Sequence, residues 1–375
     1  MNLFADLLRL LEPYPPRIVW HIALLTLFLA SAVIMASLIL FSRLAKKIKE
    51  QNKKVLITTI AMHVNAILIN DQTEETVTIK SSFKYNMDKL FLACNKIWKK
   101  QLLLDHLIEI KKSIGGSSAN VIDKIHEGLN LQSISLGKLN SFLWRVRAKG
   151  IKELATFNCK NQIKHISKFL WVRNKVLRNE AYFAVIQLSS HDPLVFLDRF
   201  AGKITPWMEL NFHYHLSRNI ESKKIDFSRW YNSKNIEVAL FAIRMTIRFR
   251  QISHVDKLSK LLSSNQAEIK WAAVKALGQL EAYQYADEVA GMHQQCWHNN
   301  TYSKIWLKAM SNLADHIHHK QQIIFFLSHD DLLVRLEATR ALVAIGGSMQ
   351  DIPPSINRFT IEPLFAHVNN PLLKL

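Results

Sequence analysis

Glycine and proline are scarce in this 375-residue chain, at 10 and 9. A β-rich, turn-dense fold uses more of both, so their scarcity points to helix. Cysteine is rarer still. Cys94, Cys159 and Cys296 are far apart and odd in number, and no CxxC pair occurs. That argues against a disulfide framework or a zinc knuckle and suits a reducing compartment, each thiol serving as a small buried hydrophobe. Acidic residues are also in deficit: 30 Asp and Glu stand against 49 Lys and Arg, a formal charge of +19. No GxSxG, HExxH or P-loop pattern is present, so the sequence offers no catalytic motif and implies no cofactor or metal.

What is present is one long apolar run. Ile18 to Phe41 reads IVWHIALLTLFLASAVIMASLILF, with His21 its single ionisable side chain. At 1.5 Å per residue it spans about 36 Å, enough to cross a hydrocarbon core of about 30 Å with some tilt. A cleaved signal peptide is the rival reading. It would have a shorter apolar core, basic residues ahead of it and a small-x-small site behind. Here the basic residues follow. Pro13 to Pro16 and Trp20 fit the start of a helix at a membrane interface.

Charge sets the expected orientation. Asp6, Arg9, Glu12 and Arg17 cancel, whereas Arg43, Lys46, Lys47, Lys49, Lys53 and Lys54 face only Glu50. The positive-inside rule then places everything after Phe41 in the cytoplasm, with the six cations at anionic headgroups of the inner membrane face. The expected division is a short outer segment (1–17), a transmembrane helix (18–41), a basic juxtamembrane and helical region (42–140) and a repeat domain (141–375).

Helical periodicity continues to Asn70. DQTEETVTIKSS (71–82) reads as a loop or a short strand pair. An apolar face returns over 85–112, marked by Leu90, Cys94, Ile97, Leu104 and Leu107, and ends at Gly115-Gly116. A helix over 119–129 leads to LNLQSISLGKLNS, which reads as a connector. From about 141 a pattern recurs: a basic residue after an aliphatic one, an Ala three positions on, then an aliphatic tail. The clearest copies are VLRNEAYFAVIQL (176–188), IKWAAVKALGQL (269–280) and VRLEATRALVAIG (334–346). Copies recur about 31 residues apart, with one gap of twice that which a degenerate copy near Trp207–Leu216 fills. Each unit is two short helices that cannot bury an apolar face alone, so stacking completes a continuous core. Small residues such as Ala181, Ala273, Ala309 and Ala338 mark close helix contacts. Turns at His191-Asp192-Pro193, Ser263-Ser264-Asn265 and Ser328 to Asp331 supply Asp or Asn caps.

These residues resemble HEAT repeats. HDDLLVRLEATRALVAIG (329–346) is close to the family pattern of Asp, Val-Arg, Ala, Ala-Leu and Gly, and SSNQAEIKWAAVKALGQL (263–280) is nearly as good, with Asn265 and Lys270 replacing the usual Asp and Arg. The resemblance implies an all-α fold: a transmembrane helix followed by a right-handed α-α superhelix, a HEAT-like solenoid. It also implies that Arg178, Lys270, Asp331 and Arg335 form a structural ladder between repeats. IEIKKSIGG (108–116) and SLGKLNSFLWRVRAKGIKELATFN (135–158) resemble single-span HEAT-repeat proteins of bacteria, often found alongside membrane glycosyltransferases of exopolysaccharide synthesis.

Sixteen histidines include His316, His318 and His319, and His213 and His215. A zinc site needs three or four converging ligands. Nothing in the spacing supplies them, so solvated histidines near a helix C-terminus are expected. Basic-aromatic stretches at 164–178 and 243–251 read either as a basic groove or as core aromatics with solvent-facing cations. The functional expectation is a membrane-tethered scaffold or adaptor that binds a protein partner, with no enzyme activity. The alternatives are a small-ligand enzyme, since the repeats also resemble bilin-lyase-type repeats, and a nucleic-acid binder.

Overall fold

The computed structural model describes residues 15–70, 77–114, 117–218 and 225–370. It is all-α, 78% helical with no strand among the described residues, in line with the scarcity of glycine and proline. The chain divides into two compact units, residues 1–137 and 138–375.

The first unit is built on α1, Pro16–Asn70, a single helix of 55 residues. Its lower end presents Ile60, Val64, Ile67 and Leu68, all buried, at the spacing of one helix face. α2 (Val77–Ala93), α3 (Ile97–Ser113) and α4 (Ser117–Gly128) pack on that face. Leu90, Leu103, Leu104, Leu107, Val121, Ile122 and Ile125 close the core. His63 Nδ1 and Asn86 Oδ1 lie 2.8 Å apart and fix the register of α2 on α1.

Two expectations fail in this unit and a third holds only in part. Residues 77–82 begin α2 rather than a loop or strand pair; 71–76 lie outside the described residues. The β-branched residues there suggested strand, and burial of the helix they start outweighs that weak preference. The stretch read as a connector contains α5, Gln132–Leu139, within which the boundary between the units falls. The helical stretch expected over 85–112 is present but broken at 94–96 into α2 and α3.

In the second unit eight longer helices follow one another about 30 residues apart. They are α6 (Trp144–Thr156), α8 (Lys175–Leu188), α9 (Pro206–Arg218), α10 (Ile236–Arg248), α12 (Ala267–Gln279), α15 (Asn300–Leu313), α17 (Leu332–Ala344) and α18 (Arg358–Asn369). Shorter helices lie between: α7 (Ile163–Ser167), α11 (Val255–Ser259), α13 (Ala286–Ala290), α14 (His293–Cys296) and α16 (His316–Phe325). Packing is between neighbours, α6 on α8, α8 on α9, α10 on α12, α12 on α15, α15 on α17 and α17 on α18. Phe212 of α9 meets Phe241 of α10 with ring centroids 5.7 Å apart. The helix that the sequence pattern required near 207–216 is α9. The arrangement is compatible with a solenoid.

Local chemistry recurs with the spacing. Asn174, Asn235, Asn299, Asp331 and Asn357 precede five of the longer helices, and each side chain accepts a backbone N–H of the first turn. The turn before α12 is different: Asn265 is not the cap, and Gln266 stands there with no side-chain bond. Four longer helices end on a left-handed residue, Asn158, Arg250, Glu281 and Gly346. The next residue's N–H then returns to a carbonyl five positions back, as Ala282 does to Leu277 at 3.1 Å, satisfying end-of-helix acceptors. Close approach is visible at Gly278, where a Cβ would stand 2.5 Å from Ala309 Cα.

Candidate membrane stem and basic groove

The upper part of α1 is the first candidate. It is long and apolar enough to cross a membrane: its best window has a mean hydropathy of 2.6, and none of that window is buried. Phe28 is 77% exposed and Phe41 73%. An apolar helix inside a water-soluble core would be covered, and this one is bare from Leu24 to Phe41. Arg43, Lys46, Lys47, Lys49, Lys53 and Lys54 follow on the same helix, all exposed. The sequence thus places a greasy rod, a basic collar and a folded base on one continuous helix.

The second candidate is in the second unit. A groove of about 590 Å³ runs across α12, α15 and α17. Lys275 and Gln279 line it from α12, Thr301, Lys304, Lys308 and Asn312 from α15, and Glu337 from α17. Arg244, Lys275, Lys308 and Arg340 each occupy the ninth position of a successive longer helix, so the groove lies on a basic stripe. The ends of the stripe are neutralised. Arg244 donates to Glu209 at 2.8 Å and Arg340 to Glu337 at 3.1 Å. Among the described residues Lys275, Lys304 and Lys308 form no ion pair, which leaves three cations facing the groove. Chemically this arrangement can receive carboxylates or phosphates; it holds no nucleophile–base pair.

The residues expected to form a ladder behave in two ways. Asp331 caps α17 by accepting from Val334 N at 3.0 Å and also accepts from Asn300 Nδ2 at 2.7 Å, one interval earlier. Arg335 and Arg178 turn inward on their own loops, donating to the carbonyls of His329 (2.6 Å) and Val172 (3.3 Å). Arg147 and Arg358 make the same six-residue return, to Ser141 and Ile352. Lys270 reaches Gln295 at 3.4 Å. Apart from Asp331, the ties between intervals use residues outside the expected ladder. Asp198 accepts from Trp230 Nε1 at 2.8 Å, Asp226 from Lys257 at 3.1 Å and Asp256 from the Tyr285 hydroxyl at 2.7 Å. Sequence reasoning missed these aspartates because they precede the aligned helix pattern rather than lying in it.

The histidines also differ from expectation. His316, His318 and His319 open α16 instead of closing a helix, because Asp315 is its cap. His319 is buried: its Nδ1 accepts from Asp315 N at 3.0 Å, so its Nε2 carries the proton and faces Asp287 at 2.8 Å. His318 pairs with Asp315 at 2.8 Å. No group of three or more His, Cys, Asp or Glu able to hold a metal occurs among the described residues. Burial holds His215 down at about 4, with Arg218 and Lys152 adding to it, and pushes the Cys94 and Cys296 thiols up to about 11 and about 12. None of the three cysteines is in a disulfide, and all are buried.

No family model matches this chain, and no curated protein matches it. Among solved structures, the crystal structure of an engineered protein aligns with 70% of this chain and 98% of its own, at 18% identity and a TM-score of 0.21. Agreement that low carries no argument about function.

Proposed function

We propose that this protein is a membrane-tethered scaffold: α1 spans the bilayer, and a HEAT-like repeat array holds an acidic segment of a protein partner against its cytoplasmic face. The observation that carries the reading is the bare apolar length of α1 joined, without a break, to an end buried in a folded core. Water penalises that bare surface at about 25 cal/mol per Å², and a bilayer removes the penalty. Tethering raises the local concentration of partner, so modest affinity suffices. Recurrent caps, left-handed helix ends and aspartate ties about 31 residues apart support the repeat reading. The three unpaired lysines of the groove favour an acidic partner over an apolar one. A membrane glycosyltransferase of an exopolysaccharide system is the partner suggested by the resemblance; groove chemistry asks only for carboxylates. Nothing in the groove calls for turnover of a small molecule such as a bilin, and the protein is read as a non-enzyme.

The test has two arms. Full-length protein in native membranes should resist alkaline carbonate extraction and require detergent. Purified in detergent, it should bind a poly-glutamate peptide, and Lys275→Glu with Lys304→Glu and Lys308→Glu should weaken that binding at least about tenfold. Carbonate release removes the span, and unchanged peptide affinity in the triple variant removes the groove. Tighter binding to duplex DNA than to poly-glutamate, with a steep salt slope, would instead favour the nucleic-acid reading.

A further inference from the structure

The corner between α2 and α3 has features that a single membrane span does not require. α2 runs back along α1, with Asn86 beside His63. Seven residues further on, α2 ends at Ala93, about 10 Å nearer the apolar end of α1. The corner therefore points up toward Lys53 and Lys54, the foot of the basic collar, and not away from it. Leu90 and Cys94 turn inward there and are buried. Around them Phe91, Leu92, Ile97 and Trp98 are left 59%, 66%, 77% and 49% exposed. Cations lie close by in the chain. The Lys99 ammonium lies 5.9 Å from the centre of the Trp98 ring, and Lys89 lies 5.3 Å from that of Tyr85. Between Lys84 and Lys100 the chain carries five lysines against Asp88 alone.

We propose that this corner is a second bilayer contact. Ile97 and Trp98 settle at headgroup depth on the membrane face that meets the basic collar, and Lys96, Lys99 and Lys100 pair with anionic lipid headgroups. The proposal rests on the reading of α1 as a span. The distances allow it. From Phe41 to Lys53 is about 18 Å along the helix. The headgroup layer takes up about 6 Å of this and extended side chains a similar length, and a tilt of about 20° toward the corner lowers a helix packed about 10 Å to the side by about a further 3 Å, which leaves about 3 Å. The lysine charges act across a Debye length of about 8 Å in any case. Lipid fits better than protein as the occupant. An interfacial Trp beside Ile, flanked in the chain by lysines and continuous with a basic stem, matches the composition of the water–membrane boundary. One span alone leaves the first unit free to spin about the stem; a second contact fixes which side faces the membrane.

The test uses full-length protein in vesicles of equal parts phosphatidylcholine and phosphatidylglycerol. An environment-sensitive fluorophore is attached, one site at a time, through Leu29→Cys in the stem, Ile97→Cys at the corner and Ser113→Cys at the far end of α3. The native thiols are buried and stay unlabelled under folded conditions. Nitroxide-labelled lipids should quench the Ile97 site at least half as strongly as Leu29, shift its emission to the blue, and leave Ser113 unquenched. Adding Lys96→Glu, Lys99→Glu and Lys100→Glu should cut quenching at Ile97 at least about threefold and leave Leu29 unchanged. Quenching at Leu29 with Ile97 behaving like Ser113 overturns the corner contact and leaves the span intact. No quenching at Leu29 overturns the span and the corner with it. Quenching at Ile97 that survives charge reversal overturns the headgroup pairing.

Discussion

The two units bury similar side chains by opposite means. The first gathers α2, α3 and α4 around the end of one long helix, and a hydrogen bond at His63 and Asn86 sets the register. The second has no such hub. Each longer helix leans on the next, and polar ties recur at each interval, as between Asp331 and Asn300 or Asp287 and His319. The contrast teaches that cohesion drawn from one hub is shared by every part, whereas cohesion drawn from neighbours stays local.

Cavities should separate the two most strongly. Trp306 is fully buried and donates from Nε1 to Val289 O at 2.6 Å; Leu104 is fully buried in the first unit. Trp306→Ala should cost about 3–5 kcal/mol and Leu104→Ala about 2–5 kcal/mol. Hydrogen exchange should show the first loss confined to α12, α15 and α17 and the second spread over α1 to α4. Protection lost evenly through α6 to α18 in Trp306→Ala would erase the contrast.

Acid sharpens it next. Burial pushes His126 in the first unit and His215 in the second from the ordinary 6.5 to about 4. The folded state then binds fewer protons than the unfolded state between those values. Stability from each is complete above pH 6.5, falls as pH drops toward 4, and is flat below. The loss is on the order of 1–3 kcal/mol per histidine. Urea unfolding at pH 7 and pH 4.5 should show it, with His126→Gln and His215→Gln each flattening the dependence of its own unit.

The smallest effect is a gain. Glu281 closes α12 with φ of 56°, a conformation that glycine adopts freely. Glu281→Gly should stabilise the second unit by about 0.5 kcal/mol, read as a rise in its thermal midpoint. A fall would mean that the carboxylate contributes more than the backbone strain costs.

Much of this could be read from the sequence because it depends on composition and spacing. The apolar run and its basic collar are adjacent in the chain, and the Ala-rich helices recur at a visible period. What escaped depends on partners distant in sequence. Asp198, Asp226 and Asp256 look like ordinary surface aspartates until the fold sets them beside Trp230, Lys257 and Tyr285. His319 lies at a helix start rather than a helix end because Asp315, four residues earlier, acts as the cap. The groove lysines are legible only once Lys275 and Lys308 are seen at the same position of successive helices. The spacing of Ile97 is right for a core position, and only the break at 94–96 leaves it bare.

The ties from Asp198 to Trp230, Asp256 to Tyr285 and Asp331 to Asn300 each reach one interval. Such a stack behaves mechanically as springs in series. Compliances add, so for the same thermal energy α18 wanders further from α6 than α8 does. Cargo seated on α12 and α15 would therefore ride on an elastic arm, able to follow a moving partner over a few ångströms without letting go.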